Sequence, residues 1–201
     1  MPLQNRVSPF GELFAAPVRG TLMGNRGGRL HDAAKKLGAR RWASKQWICC
    51  KLAFNNRHRK VWGDSYSELF FLDEVTAFAA GHRPCFECRR KDALQFATLF
   101  AGTRKRAPAG AMDDTLHAER LVGHDKRMHR RGIDDLPDGA MIARDGEAFA
   151  VRGRTLLRWT PSGYAEANPR PRRGQVDVLT PPSMLRVLKR GYAPIWHRST
   201  S

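Results

Sequence analysis

The sequence predicts an α+β protein: a small antiparallel sheet with short helices, followed by a small β-rich C-terminal module. Three observations support this class. Apolar and aromatic runs bounded by turn residues fall between positions 46 and 72, two capped helical stripes follow up to Gly102, and from Leu136 the pattern changes to hairpins. The 201 residues divide accordingly into a sheet-and-helix domain with a Gly/Arg-rich N-terminal loop (1–102), a basic helical connector (103–135) and the β-rich module (136–201).

The segment up to about Lys45, centred on Gly24-Asn25-Arg26-Gly27-Gly28-Arg29, reads as loop. Gln46–Phe54 carries Trp47, Ile48, Leu52 and Phe54 and suits a strand buried on both faces; Asn55-Asn56 offers the turn. Further strands are predicted at Lys60-Val61-Trp62 and Glu68–Leu72. Asp73 is an N-cap for a helix that places Val75, Phe78 and Ala79 on one face, with Gly81 as its stop. Asp92–Phe100 forms a second helix with Leu94, Phe96, Ala97 and Phe100 on an apolar stripe that ends at Gly102. Asp113 or Asp114 caps a third, running through Val122. In the C-terminal module, Met141–Arg144 and Ala148–Val151 flank an Asp145-Gly146 hairpin turn, and Thr155–Trp159 adds a strand. After a Pro/Arg linker, Asn168–Gly174, come the strand Val176–Leu179 and a last helix. That helix is capped by Thr180, carries Pro181-Pro182 in its first turn and has Gly191 beyond its end.

Lysine and arginine number 36 against 19 acidic residues, a net charge of +17 and a pI near 10.8. Basic residues cluster at Arg57-His58-Arg59-Lys60, Arg104-Lys105-Arg106, Lys126–Arg131 and Arg170–Arg173. Such a footprint points to nucleic acid, because each phosphate neutralised releases a condensed counterion. There is no apolar run of about 18 residues and no apolar centre near the N-terminus, so neither a membrane span nor a secretory signal is expected and the cytoplasm is the expected compartment. Four cysteines are too few for a disulfide scaffold of this size.

The chemistry concentrates at Gly81-His82-Arg83-Pro84-Cys85-Phe86-Glu87-Cys88-Arg89-Arg90. Two thiols two residues apart supply half of a tetrahedral zinc site. The other half must come from Cys49, Cys50, His31, His58 or His82. Neighbouring side chains on a strand face opposite ways, so only one of Cys49 and Cys50 can join the pair. The expected ligand set is Cys85, Cys88, Cys50 and His31. The expected phosphate contacts are Arg26, Arg29, Arg83, Arg89, Arg90, Lys126, Arg127, Arg130 and Arg131.

The run from Glu68 to Arg89, with its Gly-x-Arg-Pro-Cys-x-x-Cys loop after a strand and a short helix, resembles the metal-binding domain of the Ada family of DNA alkylation-repair proteins. The likeness spans about residues 47–90. It implies a small domain ordered by zinc on four cysteines, one of which accepts a methyl group from a DNA phosphotriester, and it places Cys85 and Cys88 on the second ligand pair. The family's first pair is separated by three residues on a loop; here the upstream thiols, Cys49 and Cys50, are adjacent.

The function expected is therefore sequence-tolerant binding of nucleic acid, with DNA favoured, in a zinc-stabilised protein with a role in DNA repair. The alternative is a nucleic-acid-modifying enzyme, either a thiolate alkyl acceptor at Cys50 or a metal-dependent hydrolase built on Asp114 and His117. A redox Cys-x-x-Cys and a basic face for an acidic protein partner are further readings.

Overall fold

A computed structural model of the protein describes residues 1–57 and 60–200. Among these residues the chain forms two six-stranded sheets, a two-stranded hairpin and four α-helices, so the α+β class with a β-rich C-terminal module holds. No helix is long and apolar enough to cross a membrane.

The first sheet contains β1 (Arg6–Val7), β2 (Leu13–Phe14), β3 (Leu22–Asn25), β4 (Ile48–Cys50), β5 (Leu69–Phe71) and β6 (Arg83–Pro84), in the order β2-β1-β5-β3-β4-β6. The pairing is mixed. β1 runs parallel to β5 and β6 parallel to β4, while the remaining neighbours are antiparallel. Half of these strands lie in the segment expected to be loop. Gly24, which signalled that loop, instead sits mid-strand: a Cβ there would lie 2.1 Å from the Ile48 carbonyl oxygen and 2.7 Å from the Phe71 ring. Close backbone approach, and not turn geometry, requires glycine at this position. The strand expected at Lys60–Trp62 is absent; Val61-Trp62 is a turn, with Trp62 at φ 55° and its ring buried.

Helix α1 (Glu74–Ala79) begins as expected. Asp73 accepts hydrogen bonds from the Thr76 amide and hydroxyl, each at 2.8 Å. All six of its residues are buried, because it lies between the first sheet and the C-terminal module. Helix α2 (Arg90–Ala101) ends on Gly102 in the left-handed conformation. Helix α3 (Ala109–Arg120) starts before Asp113 and Asp114, so neither caps it: Pro108 occupies the N-cap position, and Asp113 turns inward to Arg83. α3 runs into a hairpin, β7 (Leu121–Val122) and β8 (Asp125–Lys126).

The second sheet is antiparallel throughout, in the order β13-β12-β11-β10-β14-β9. Its strands are β9 (His129–Gly132), β10 (Met141–Arg144), β11 (Glu147–Arg152), β12 (Thr155–Thr160), β13 (Gly163–Pro169) and β14 (Gln175–Val178). Asp145 and Gly146 make the β10–β11 turn with positive φ at both residues, as the Asp-Gly signal demands. β9 and β13 add to the expected strands: β9 takes up part of the Lys126–Arg131 basic run, and β13 ends in the expected Pro/Arg linker. Helix α4 (Pro182–Lys189) has Pro181 at its cap, whereas Thr180 Oγ1 accepts from the Met141 amide.

Two apolar clusters join the halves of the molecule. Leu72, Val75 and Ala79 pack with Met141, Ala150 and Leu179, and Phe78, Phe96, Met112 and Leu116 pack with Met184 and Val187 of α4.

Candidate metal centre

β4 presents its two cysteines to opposite sides, as strand geometry requires. Cys49 is wholly buried in the apolar core of the first sheet, and Cys50 faces the other way. Because β6 pairs in parallel with β4, the turn after Pro84 is brought directly over Cys50; the Cys85 amide donates to the Cys49 carbonyl at 2.9 Å. The chain then turns tightly through Phe86-Glu87, and the Arg89 amide donates to the Cys85 carbonyl at 3.1 Å. This carries Cys88 back beside Cys85.

The outcome is a buried group of three thiols, Cys50, Cys85 and Cys88, whose sulfurs all lie within 4.8 Å of one another. All are free thiols, and the group could hold a metal ion. Backbone amides are aimed at the sulfurs: Glu87 N–H at Cys85 Sγ and Lys51 N–H at Cys88 Sγ, each 3.4 Å away. Such bonds favour the thiolate, the form that binds metal. The crowding divides the three protons unequally. Hydrogen bonds from Cys50 and Cys88 push the Cys85 thiol far down, while hydrogen bonds to Cys85 and Cys88 together with burial push Cys50 up. Met23, Ile48, Phe54 and Phe70 wall the group with apolar surface.

His31 lies elsewhere. Its Nδ1 is 2.6 Å from Ser67 Oγ, its Nε2 is 2.9 Å from the Gly63 carbonyl, and its ring stacks on Trp62 at 5.0 Å. Both ring nitrogens are thus engaged in bracing a loop, and the described residues bring only the three cysteines together. His82 is buried between Trp47 and Phe71, its Nε2 accepting from Arg26 Nε at 3.3 Å. His58, the remaining candidate, lies outside the described residues, as does Arg59 of the same basic run.

The nine basic residues divide by burial. Arg83 is internal and grips Asp113; Arg89 is internal and pairs with Glu74 at 2.7 Å and Asp92 at 2.9 Å. Arg26 is 1 % exposed and donates to the Gly11 and Arg41 carbonyls. Lys126 is half-buried with its ammonium on the Ala79 carbonyl. A guanidinium enclosed with carboxylates has no face left for a phosphate outside, so Arg83 and Arg89 brace the metal loop instead. Arg29, Arg90, Arg127, Arg130 and Arg131 are exposed.

Asp114 is exposed and paired with Lys45 at 2.8 Å, and His117 Nδ1 meets Arg120 Nη2 at 3.1 Å; the two act on each other electrostatically, but no group of three metal-ligating side chains forms around them among the described residues. Sequence reasoning missed the grouping of Arg26, Arg120 and Lys126, because no local pattern links the end of β3, α3 and β8.

The fold and site define an α+β protein carrying a buried three-cysteine group suited to a metal ion. No protein-family model, curated protein or solved structure matches the chain.

Proposed function

We propose that Cys50, Cys85 and Cys88 hold zinc, and that the zinc-braced protein binds nucleic acid, DNA above all, through phosphate contacts. The observation that carries the metal half is the convergence of three buried thiols from two separate segments. Soft thiolates in an apolar pocket suit zinc. The net charge of +17, with five of the expected contact arginines exposed, carries the other half. Arg127, Arg130 and Arg131, close together in the chain at β8–β9, with Arg29 and Arg90, form the contact set. On this reading the zinc is structural: it pins β4 to the turn after β6 and so fixes the start of α2, where Arg90 stands. The resemblance to the Ada metal-binding domain favours a role in DNA repair.

The test is a titration of duplex DNA at increasing salt, on the parent and on Arg127→Ala/Arg130→Ala/Arg131→Ala. The parent's affinity is expected to fall steeply, and the triple variant's slope of log K against log salt to be shallower by about 0.9 per lost contact. An affinity indifferent to salt removes the reading.

A second reading rests on the count of donors. Three protein thiolates leave a fourth position, the arrangement of zinc sites that do chemistry. A thiolate would then accept an alkyl group from a DNA phosphotriester, a sulfur–carbon bond forming as the carbon–oxygen bond breaks and the phosphodiester anion leaves. Intact mass after incubation with methylated DNA separates the readings, since the acceptor gains one methyl group irreversibly.

A further inference from the structure

Between β2, β3, α3 and the β7–β8 hairpin lies a cavity of about 470 Å³, of the size that small-molecule sites occupy. Arg26, just past the end of β3, Arg120 at the end of α3 and Lys126 on β8 line it from three separate parts of the chain. Arg26 and Arg120 are each 1 % exposed, and their guanidinium carbons each lie 3.9 Å from the Trp47 ring centroid. None of the three cations has a carboxylate within salt-bridge distance among the described residues. Arg120 donates to the Gly81 and Lys45 carbonyls at 3.0 and 2.7 Å, and Lys126 to that of Ala79. Arg120 Nε, wholly buried, has no hydrogen-bond partner among them. Asp113 is near enough to act on Arg120, but both its oxygens are taken by Arg83.

Buried charges are ordinarily paired, because removing an ion from water costs several kcal/mol. Arg26 and Arg120, both buried, and the half-buried Lys126 converge on one cavity with no carboxylate in salt-bridge contact among the described residues, an arrangement that suits an anion. Gly81 shows how closely Arg120 is fitted: its φ is +83°, and a Cβ there would lie 2.6 Å from Arg120 Cδ. On the same cavity, Trp42 offers a half-buried ring, with His124 at 5.2 Å and His117 at 5.7 Å. Glu12 and Asp125 also belong to the lining. They repel phosphate and can accept from sugar hydroxyls.

We propose that this cavity binds a nucleoside phosphomonoester, its phosphoryl group against Arg26, Arg120 and Lys126 and its base against Trp42. A phosphate dianion matches a multiply positive group better than a singly charged carboxylate, and indole is a platform on which bases stack. The state of Lys126 supports this: burial, then Arg120 and Arg26, push its pKa down to about 7. The other charged groups around it are Arg41, His124, Asp125 and Glu12 on the lining and His82 in the interior. An anion placed among the cations raises that pKa, so binding at pH 8 draws a proton from the buffer. The site is separate from the metal centre and needs neither zinc nor backbone binding of DNA. Binding of closed circular duplex, which has no ends, reports that other activity independently.

The experiment is calorimetry on the full chain with adenosine 5′-monophosphate, adenosine, glutarate, and a short oligonucleotide with a 5′-phosphate or a 5′-hydroxyl, in buffers of differing ionisation enthalpy. The monophosphate is expected to bind at least about tenfold more tightly than adenosine, with proton uptake. Lys126→Met and Trp42→Ala, both at partly exposed positions and checked for folding by circular dichroism, should each weaken it about tenfold. Equal tightening by the oligonucleotide's 5′-phosphate places the ligand at a strand end; tightening by the mononucleotide alone makes it a free nucleotide. Adenosine or glutarate binding as well as the monophosphate, or undiminished binding in both folded variants, overturns the proposal.

Discussion

Arg83 closes on Asp113 with two parallel hydrogen bonds, Nε to Oδ1 at 2.8 Å and Nη2 to Oδ2 at 2.7 Å, and both side chains are buried. The pair ties the residue that opens the Cys-x-x-Cys turn to the middle of α3. Removing the carboxylate leaves Arg83 charged and enclosed. Asp113→Ala is therefore expected to cost about 3–5 kcal/mol in urea unfolding, while Arg83→Met/Asp113→Leu, which removes both charges, recovers most of it. A double variant no more stable than Asp113→Ala would show that the pair acts through shape and not charge.

Metal and folding are expected to be linked. Zinc held by three thiolates binds the folded chain and not the unfolded one, so it adds several kcal/mol of stability. Parent protein should contain one zinc per chain by elemental analysis and lose Tm on addition of a strong chelator. Cys85→Ser should contain none and show no further loss. A Tm indifferent to the chelator in metal-loaded parent would deny the ion a structural part.

How much of this was legible beforehand follows from range. The Asp73 cap, the Gly102 stop and the Asp145-Gly146 turn are set by neighbouring residues, and all three stand where the sequence puts them. Cys85 and Cys88 announce themselves by spacing, and strand alternation restricts the partner to one of two adjacent cysteines. What could not be read is what depends on pairing across the chain. β1 and β2 are two residues long and exist because β5 offers an edge. Gly24 marks a crowded strand crossing that a local rule takes for a loop. Arg26, Arg83 and Arg89 are among the expected phosphate contacts, yet they and Arg120 are interior, each compensated or placed by residues far along the chain. Charge composition counts arginines without saying which way they face.

Acid sensitivity should trace to His82. Its side chain is 0 % exposed, and burial, then Arg26, Arg120 and Lys126, lower its pKa well below 6.5. The unfolded chain takes up a proton near 6.5 that the folded chain refuses. Stability is therefore lost as pH falls from about 6.5 toward the folded pKa, by up to about 1.4 kcal/mol per pH unit. Lys126 acts with the same sign in a higher window: with a folded pKa of about 7 against an ordinary 10.5, stability rises with pH between those values. Urea midpoints from pH 5 to 10, in phosphate-free buffer, should show both slopes. His82→Phe should flatten the lower and Lys126→Met the upper; a lower slope that survives His82→Phe belongs to another group.

Glu74 is the point at which the C-terminal tail is fastened to the metal loop. Its Oε1 accepts from the Tyr192 hydroxyl at 2.9 Å and pairs with Arg89 Nη1 at 2.7 Å, and its Oε2 accepts from the Ile195 amide at 2.9 Å. Arg89 in turn donates to Cys49 Sγ at 3.6 Å, next in the chain to the metal-site cysteine Cys50. Two variants separate the parts of this network. Tyr192→Phe removes the hydroxyl's bond to Glu74 and the 3.4 Å bond it accepts from Arg89 Nη2 but leaves the ion pair, so about 1–2 kcal/mol is expected, with faster hydrogen exchange confined to the amides from Ala193 to His197. Glu74→Gln leaves Arg89 with the half-exposed Asp92 as its one carboxylate partner among the described residues, so the loss should reach about 3 kcal/mol and the faster exchange should extend to Arg89 and the first turn of α2. Loss of protection at the tail alone in Glu74→Gln would mean that the metal loop stands without this carboxylate, its position set by the thiols and β6 pairing.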